Sequence, residues 1–142
     1  MTVTFFGHRD APEAVEASLN RTIVDLIENH GAREFYVGNN GSFDTMVRRQ
    51  LELLSRVYPV KYSVVLAYLP DEKSKERFIR NSVYPEGIEN VPKRFAISWR
   101  NNWMIQQSDT VVVYVTHTFG GAGRFKEIAE KKGKTVINIK ED

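Results

Sequence analysis

Three glycine-bearing segments and one helix carry the residues able to do chemistry. Gly7-His8-Arg9-Asp10 follows a short apolar run. A glycine directly after a strand lets a ligand approach the backbone, and a following helix N-terminus offers free N–H groups and about half a positive charge. Arg9 adds a cation with a bidentate fork. Together these suit a phosphate or a carboxylate, with His8 beside it. A plain tight turn with Arg9 paired to a surface acid is the alternative.

The second segment is Gly38-Asn-Asn-Gly41-Ser42-Phe-Asp44. Two Gly and two Asn tolerate positive φ, so this stretch can form an anion nest opening into a helix. Ser42 is a good N-cap there. Asp44, in the first turn, could accept a ligand hydroxyl or amine, or simply favour the helix dipole. The third is Gly120-Gly121-Ala-Gly123, followed by Arg124 and by Glu127 one turn on. Three glycines in four residues remove side chains where the backbone must approach something. The spacing fits neither the dinucleotide fingerprint nor the Walker phosphate loop, which disfavours an NAD site and a Walker-type ATPase.

Arg100 lies in Trp99-Arg-Asn-Asn-Trp103, a helical stretch rich in polar hydrogen-bonding groups. Two Trp at i, i+4 more often make core than a base-stacking platform. His8 and His117 both fall at strand ends, but without a spaced third ligand they are a weak zinc signal. No metal and no cofactor is expected. No nucleophile elbow of the Ser-His-Asp hydrolases is present.

These residues need elements to position them. Apolar runs at 3–6, 35–37, 62–69, 110–116 and 135–139 predict five strands. Helical periodicity predicts four helices: one from the Asp10/Pro12/Glu13 start to Gly31, one from Ser42 to Tyr58-Pro59, one over 93–107, and one after Gly123 through Lys132. Residues 70–92, with three Pro, read as a long loop with one helical turn. Strands alternating with helices predict a three-layer α/β, Rossmann-like fold. Its sheet is five-stranded and mainly parallel, in the order 3-2-1-4-5, with helices on both faces. Ligands then bind at the switch point between strands 1 and 4, so the loops after Phe6 and Thr116 should face each other across one crevice.

The chain has 142 residues, one domain's worth. Twenty Lys and Arg against eighteen Asp and Glu leave a net charge of +2, with no basic stripe, which argues against a nucleic-acid partner. With no Cys, disulfide scaffolds, thiol nucleophiles and Cys-based zinc sites are excluded. No basic n-region precedes the first apolar stretch, and no run approaches the ~20 residues that span a membrane. A cytoplasmic protein is expected.

Arg100-Asn-Asn-Trp-Met104, then Ser108-Asp109, a strand, and Phe119-Gly-Gly-Ala-Gly-Arg-Phe-Lys-Glu127 resemble the SLOG superfamily. That group includes the Lonely-guy phosphoribohydrolases and the DprA-type DNA-processing proteins. Arg100 and Met104 match its first motif in spacing, and Gly120, Gly121, Gly123 and Glu127 its second. The resemblance implies a catalytic pair, Arg100 and Glu127, that cleaves the N-glycosidic bond of a nucleoside 5′-monophosphate. Phe119 stands where that motif has Pro, Asn101 where it has Lys, and Arg124 where it has a phosphate-holding Thr. These departures weigh against hydrolysis more than against binding.

The resulting expectation is a domain that binds a nucleotide or ribose-phosphate derivative, as a sensor or nucleotide-processing domain. Gly7, Arg9, Gly41, Gly120, Gly121, Gly123 and Arg124 would hold phosphate, and Asp44 and Glu127 would meet ribose hydroxyls. His8, Gly38, Ser42 and Thr116 complete the candidate set, with Trp99 or Phe119 stacking on the base. The alternatives are a true phosphoribohydrolase and a DprA-like DNA-associated protein. The resemblance also implies a homo-oligomer, with the Trp99/Trp103 helix as a candidate interface.

Overall fold

The chain begins with the strand that organises the molecule. Val3, Phe5 and Phe6 are all buried, as is Thr4 between them, so the strand is covered on both faces. Successive side chains on a strand point opposite ways. Phe5 therefore stacks on Phe35 at 6.1 Å on one face, and Phe6 stacks on Phe125 at 5.5 Å on the other. Burying each such ring contributes about 1.5–3 kcal/mol.

The computed structural model describes residues 1–68 and 80–142. β1 (Thr2–Gly7) leads through a short 3-10 turn into α1 (Glu16–His30), which Gly31 ends in the left-handed conformation at φ 73°. Then come β2 (Glu34–Val37), α2 (Ser42–Ser55), β3 (Lys61–Val65) and β4 (Ser82–Val83). A second 3-10 turn (Ile88–Asn90) precedes α3 (Lys93–Gln107). β5 (Thr110–Tyr114), α4 (Gly120–Lys131) and β6 (Thr135–Asn138) complete the described chain.

The strands form one sheet in the order β4-β3-β2-β1-β5-β6, every pairing parallel. The expected count of five strands is corrected to six. The addition is β4, which pairs Val64 with Ser82 and Val65 with Val83 at the sheet edge. Two residues are too few for a period, so Ser82–Val83 carries no strand signal of its own. The other five strands stand in the expected order. The predicted end of the third strand at Leu69, and the part of the predicted loop over 70–79, lie outside the described residues.

One core lies between the sheet and α1 and α2, around Phe5, Phe35, Leu19, Ile23 and Leu51. A second lies beneath α3 and α4, around Phe6, Val111, Val113, Met104 and Phe125, and a smaller one joins Ala67, Ile88 and Ala96. β1 pairs with β2 on one side and β5 on the other, Gly7 facing Tyr114. The connections change direction there, so both following loops leave the carboxyl edge side by side.

Candidate functional site

The loop after β1 and the loop after β5 do meet. Thr116 donates its backbone N–H to His8 Nε2 at 2.9 Å. The His8 ring stacks on His117 at 3.9 Å, and His117 stacks on Phe119 at 3.8 Å. Burial, and then the neighbouring His117, hold the His8 pKa below its ordinary value. The neutral ring is the form that can accept the Thr116 N–H. The outer end of this three-ring stack is open: Phe119 is 72% exposed.

Beside the stack lies a crevice of about 270 Å³. Phe5, Phe6 and Gly7 form its sheet side, Arg9 and Asn40 its rim with buried Asp44 beside them, and Gly121, Ala122 and Phe125 its α4 wall. The remaining wall is a stripe of α3: Ile97, Arg100, Asn101 and Met104. These stand at i, i+3, i+4 and i+7, one face of a helix.

Arg100 is buried at 1% exposure. Its Nη1 donates to the Val65 carbonyl at 2.8 Å and to Asn39 Oδ1 at 3.3 Å. Its Nη2 donates to Asn40 Oδ1 at 2.8 Å, and its Nε to Asn101 Oδ1 at 2.8 Å. One guanidinium thus ties α3 to the end of β3 and to the loop after β2. Asp44 is buried close by and accepts the Asn40 backbone N–H at 2.9 Å. Burial raises its pKa to about 6, against the pull of that N–H and of Arg100. The crevice therefore holds a fixed cation and a buried carboxyl with a raised pKa, a pairing found at functional sites.

Of the residues singled out from sequence, Gly7, Arg9, Asp44, Arg100 and Gly121 line the crevice, and His8 and Thr116 brace it. Several of the candidates also have structural duties. The space a side chain at Gly7 would need is filled by the Phe43 ring, 2.2 Å from a Cβ built there. Gly123 packs against the Thr118 carbonyl, 2.6 Å from such a Cβ. Gly41, at φ 94°, presses on Arg9 Cα. It also takes the N-cap position expected for Ser42, whose Oγ instead donates to the Ala11 carbonyl at 2.7 Å. Gly38 gives room to Asp44 and Arg100. α4 begins at Gly120, so the glycine cluster forms its first turn rather than a loop ahead of it.

Arg124 is exposed and lies over the Phe125 ring at 5.4 Å, outside the crevice lining. Glu127 is exposed as well and outside that lining. It stands two residues from Phe125, about 200° round the helix. The structure thus separates it from Arg100. Trp99 packs with Ala67, Ile88 and Ala96 and against Gly87, and Trp103 meets Tyr36 edge-on at 5.2 Å. Both make packing contacts and are half-buried. Asn40, Ile97, Asn101 and Met104 were not singled out as ligand contacts. The α3 stripe could have been read from its helical spacing alone.

A second depression, of about 390 Å³, lies along α2 and the sheet edge. Arg48, Arg49, Arg56 and Arg80 line it, with Glu52 the one acid among the lining residues. Among the described residues no helix is long and apolar enough to cross a membrane.

No known protein family and no curated protein matches the chain in sequence. In fold it is similar to DNA processing protein A from Helicobacter pylori, a structure described for its single-stranded DNA binding mode. The TM-score is 0.65 at 16% identity, over 96% of this chain and 63% of that one. The chain thus spans less than two-thirds of that neighbour, and the likeness is one of fold. It corrects the expectation against a nucleic-acid partner, because a protein of this fold binds single-stranded DNA. A balanced net charge does not decide the matter, because charge acts locally. Folding gathers four arginines from two separate segments into one groove.

Proposed function

We propose that this chain binds single-stranded DNA at the carboxyl edge of its sheet, with one nucleotide of the strand entering the crevice. The observation that carries the reading is the exposed Phe119 ring at the end of the His8–His117–Phe119 stack, beside that crevice. A stacked, half-free aromatic is what a nucleobase needs, and each base–aromatic contact contributes about 1–3 kcal/mol without sequence preference. Arg9, exposed at the rim, supplies a cation for the phosphate. The Asn40 and Asn101 side chains and Asp44 offer polar groups for sugar or base edges. The likeness to a single-strand-binding protein and the resemblance to the SLOG superfamily both support this reading.

A free nucleotide is the second reading. The crevice's convergent polar groups Arg9, Asn40, Asp44, Arg100 and Asn101 would serve a free nucleotide as well. One titration separates the two. A fluorescent oligothymidylate is added to the full chain and its anisotropy followed, with unlabelled duplex and nucleoside monophosphates as competitors. Tight, salt-sensitive binding that monophosphates displace only in large excess is the expected result. Displacement by a monophosphate at matching concentration would assign the site to free nucleotides, and no binding at low salt would sink the proposal.

A further inference from the structure

The arginine groove lies apart from the crevice, yet α2 joins them. Asp44 and Asn40 stand at the crevice end of that helix, and Thr45, Arg48, Glu52 and Arg56 follow down its outer side. Arg48 to Arg56 is eight residues, about 12 Å of helix. Arg48 lines the groove and also lowers the pKa of Asp44 through its charge, so its field reaches both places.

The groove has more than net charge. Glu52 sits at its centre and accepts from Arg56 at 3.0 Å, from Arg80 at 3.5 Å and from the Tyr62 hydroxyl at 3.0 Å. One carboxylate thereby meets two guanidinium groups and a phenol; Arg49 is paired with Glu16 at 2.7 Å, which leaves Arg48, Arg56 and Arg80 to outnumber Glu52. Arg56 and Arg80 keep 66% and 73% of their side-chain surface exposed, so they remain open to a second acceptor. Leu53, 53% exposed, lies among them. Guanidinium forks match phosphate oxygens in pairs, and they are weakly hydrated enough to release water on contact.

We infer that this groove is a second binding site for the same strand: Arg48, Arg56 and Arg80 hold phosphodiester groups of single-stranded DNA whose neighbouring nucleotide occupies the crevice, so that the strand runs along α2. The inference rests on the crevice being a single-strand site. An acidic peptide is the competing occupant. Continuity with the crevice along one helix favours the phosphate backbone.

The test compares oligothymidylates of roughly 4 and roughly 16 nucleotides, which bracket common single-strand site sizes. Three proteins are titrated over a range of salt: wild type, Arg48→Ala/Arg56→Ala/Arg80→Ala, and the corresponding triple Lys variant. Each single-strand phosphate contact contributes about 0.7 to the log–log salt slope. The Ala variant is expected to lose about 2 from the slope for the long oligomer, and at least tenfold in affinity. For the short one it should stay within about twofold of wild type. The Lys variant should restore the slope, since charge count sets it. Thermal melting of all three checks the fold.

An unchanged slope for the Ala variant overturns the inference and leaves the crevice reading standing. Loss of polyglutamate binding in that variant, with DNA binding intact, also overturns it and assigns the groove to an acidic protein. If the wild type binds neither oligomer, the crevice reading itself fails and takes this inference with it.

Discussion

Asp44 and Arg100 bury opposite charges on either side of Gly38 without forming an ion pair. Asp44 takes its hydrogen bond from the Asn40 backbone, and Arg100 gives its own to the oxygens of Val65, Asn39, Asn40 and Asn101. A Cβ placed on Gly38 would lie 2.9 Å from Asp44 Oδ2 and 3.1 Å from Arg100 Nη1. The glycine is therefore what lets the two groups share the crevice.

Gly38→Ala should separate them. Overpacking of this kind costs about 1–3 kcal/mol, and the loss is expected here because both neighbours are buried and hydrogen-bonded. Gly121→Ala is the control. Nothing lies within 4 Å of a Cβ at that position, so its stability should stay within about 0.5 kcal/mol of wild type. The added methyl enters the crevice, so oligonucleotide affinity should fall. Urea denaturation and anisotropy on both variants check this. Equal stabilities would mean that the Gly38 neighbours yield without cost.

Phe119 provides the cleanest separation of binding from folding. Its ring is 72% exposed, so Phe119→Ala should leave the melting temperature within a degree or two of wild type. Single-strand affinity should fall roughly 5- to 150-fold, the equivalent of 1–3 kcal/mol of stacking. Phe119→Trp should retain it. Anisotropy titrations measure all three, and an Ala variant that binds like wild type would remove the stack from the site.

Asp44 should leave a signature in pH. Its folded pKa is raised from 3.8 to about 6, so between those values the folded chain binds a proton that the unfolded chain does not. Stability attributable to this group therefore falls as pH rises through that window. It levels off above about 6, having lost up to about 3 kcal/mol. Asp44→Asn cannot titrate. The stability of wild type minus that of Asp44→Asn should decline from pH 4 to 6 and then stay flat. A flat difference throughout would show that the carboxyl is not desolvated.

Most of this architecture was legible because its signals are local. The run around Phe5 and Phe6 read as a strand, and Lys93–Gln107 emerged at the expected bounds. The meeting of the His8 and His117 loops followed from strand order alone. What escaped depends on partners distant in sequence. Ser82–Val83 is a strand only because β3 lies beside it. Gly7 and Gly123 read as ligand glycines; that a Cβ there would meet the Phe43 ring or the Thr118 carbonyl is a packing demand the sequence does not display. The arginine groove draws on α2 and on Arg80, and no linear pattern joins them.

The motif pairs Arg100 with Glu127, whereas Arg100 lines the crevice and Glu127 faces outward on α4. Glu127→Gln should therefore leave stability within about 0.5 kcal/mol of wild type and single-strand affinity within about twofold. Arg100→Met should cost about 3 kcal/mol, because the acceptors on Val65, Asn39 and Asn40 lose their donor. It should also raise the Asp44 pKa further, since Arg100 lowers it now. The same two variants, with Asp44→Asn, decide any turnover. If the chain releases free base from a nucleoside 5′-monophosphate, Asp44→Asn should abolish the release and Glu127→Gln should not, because a carboxyl must reach the reacting carbon to stabilise an oxocarbenium-like cation. Release lost in Glu127→Gln alone would mean that α4 turns that face toward the substrate, and the crevice wall described above would be wrong.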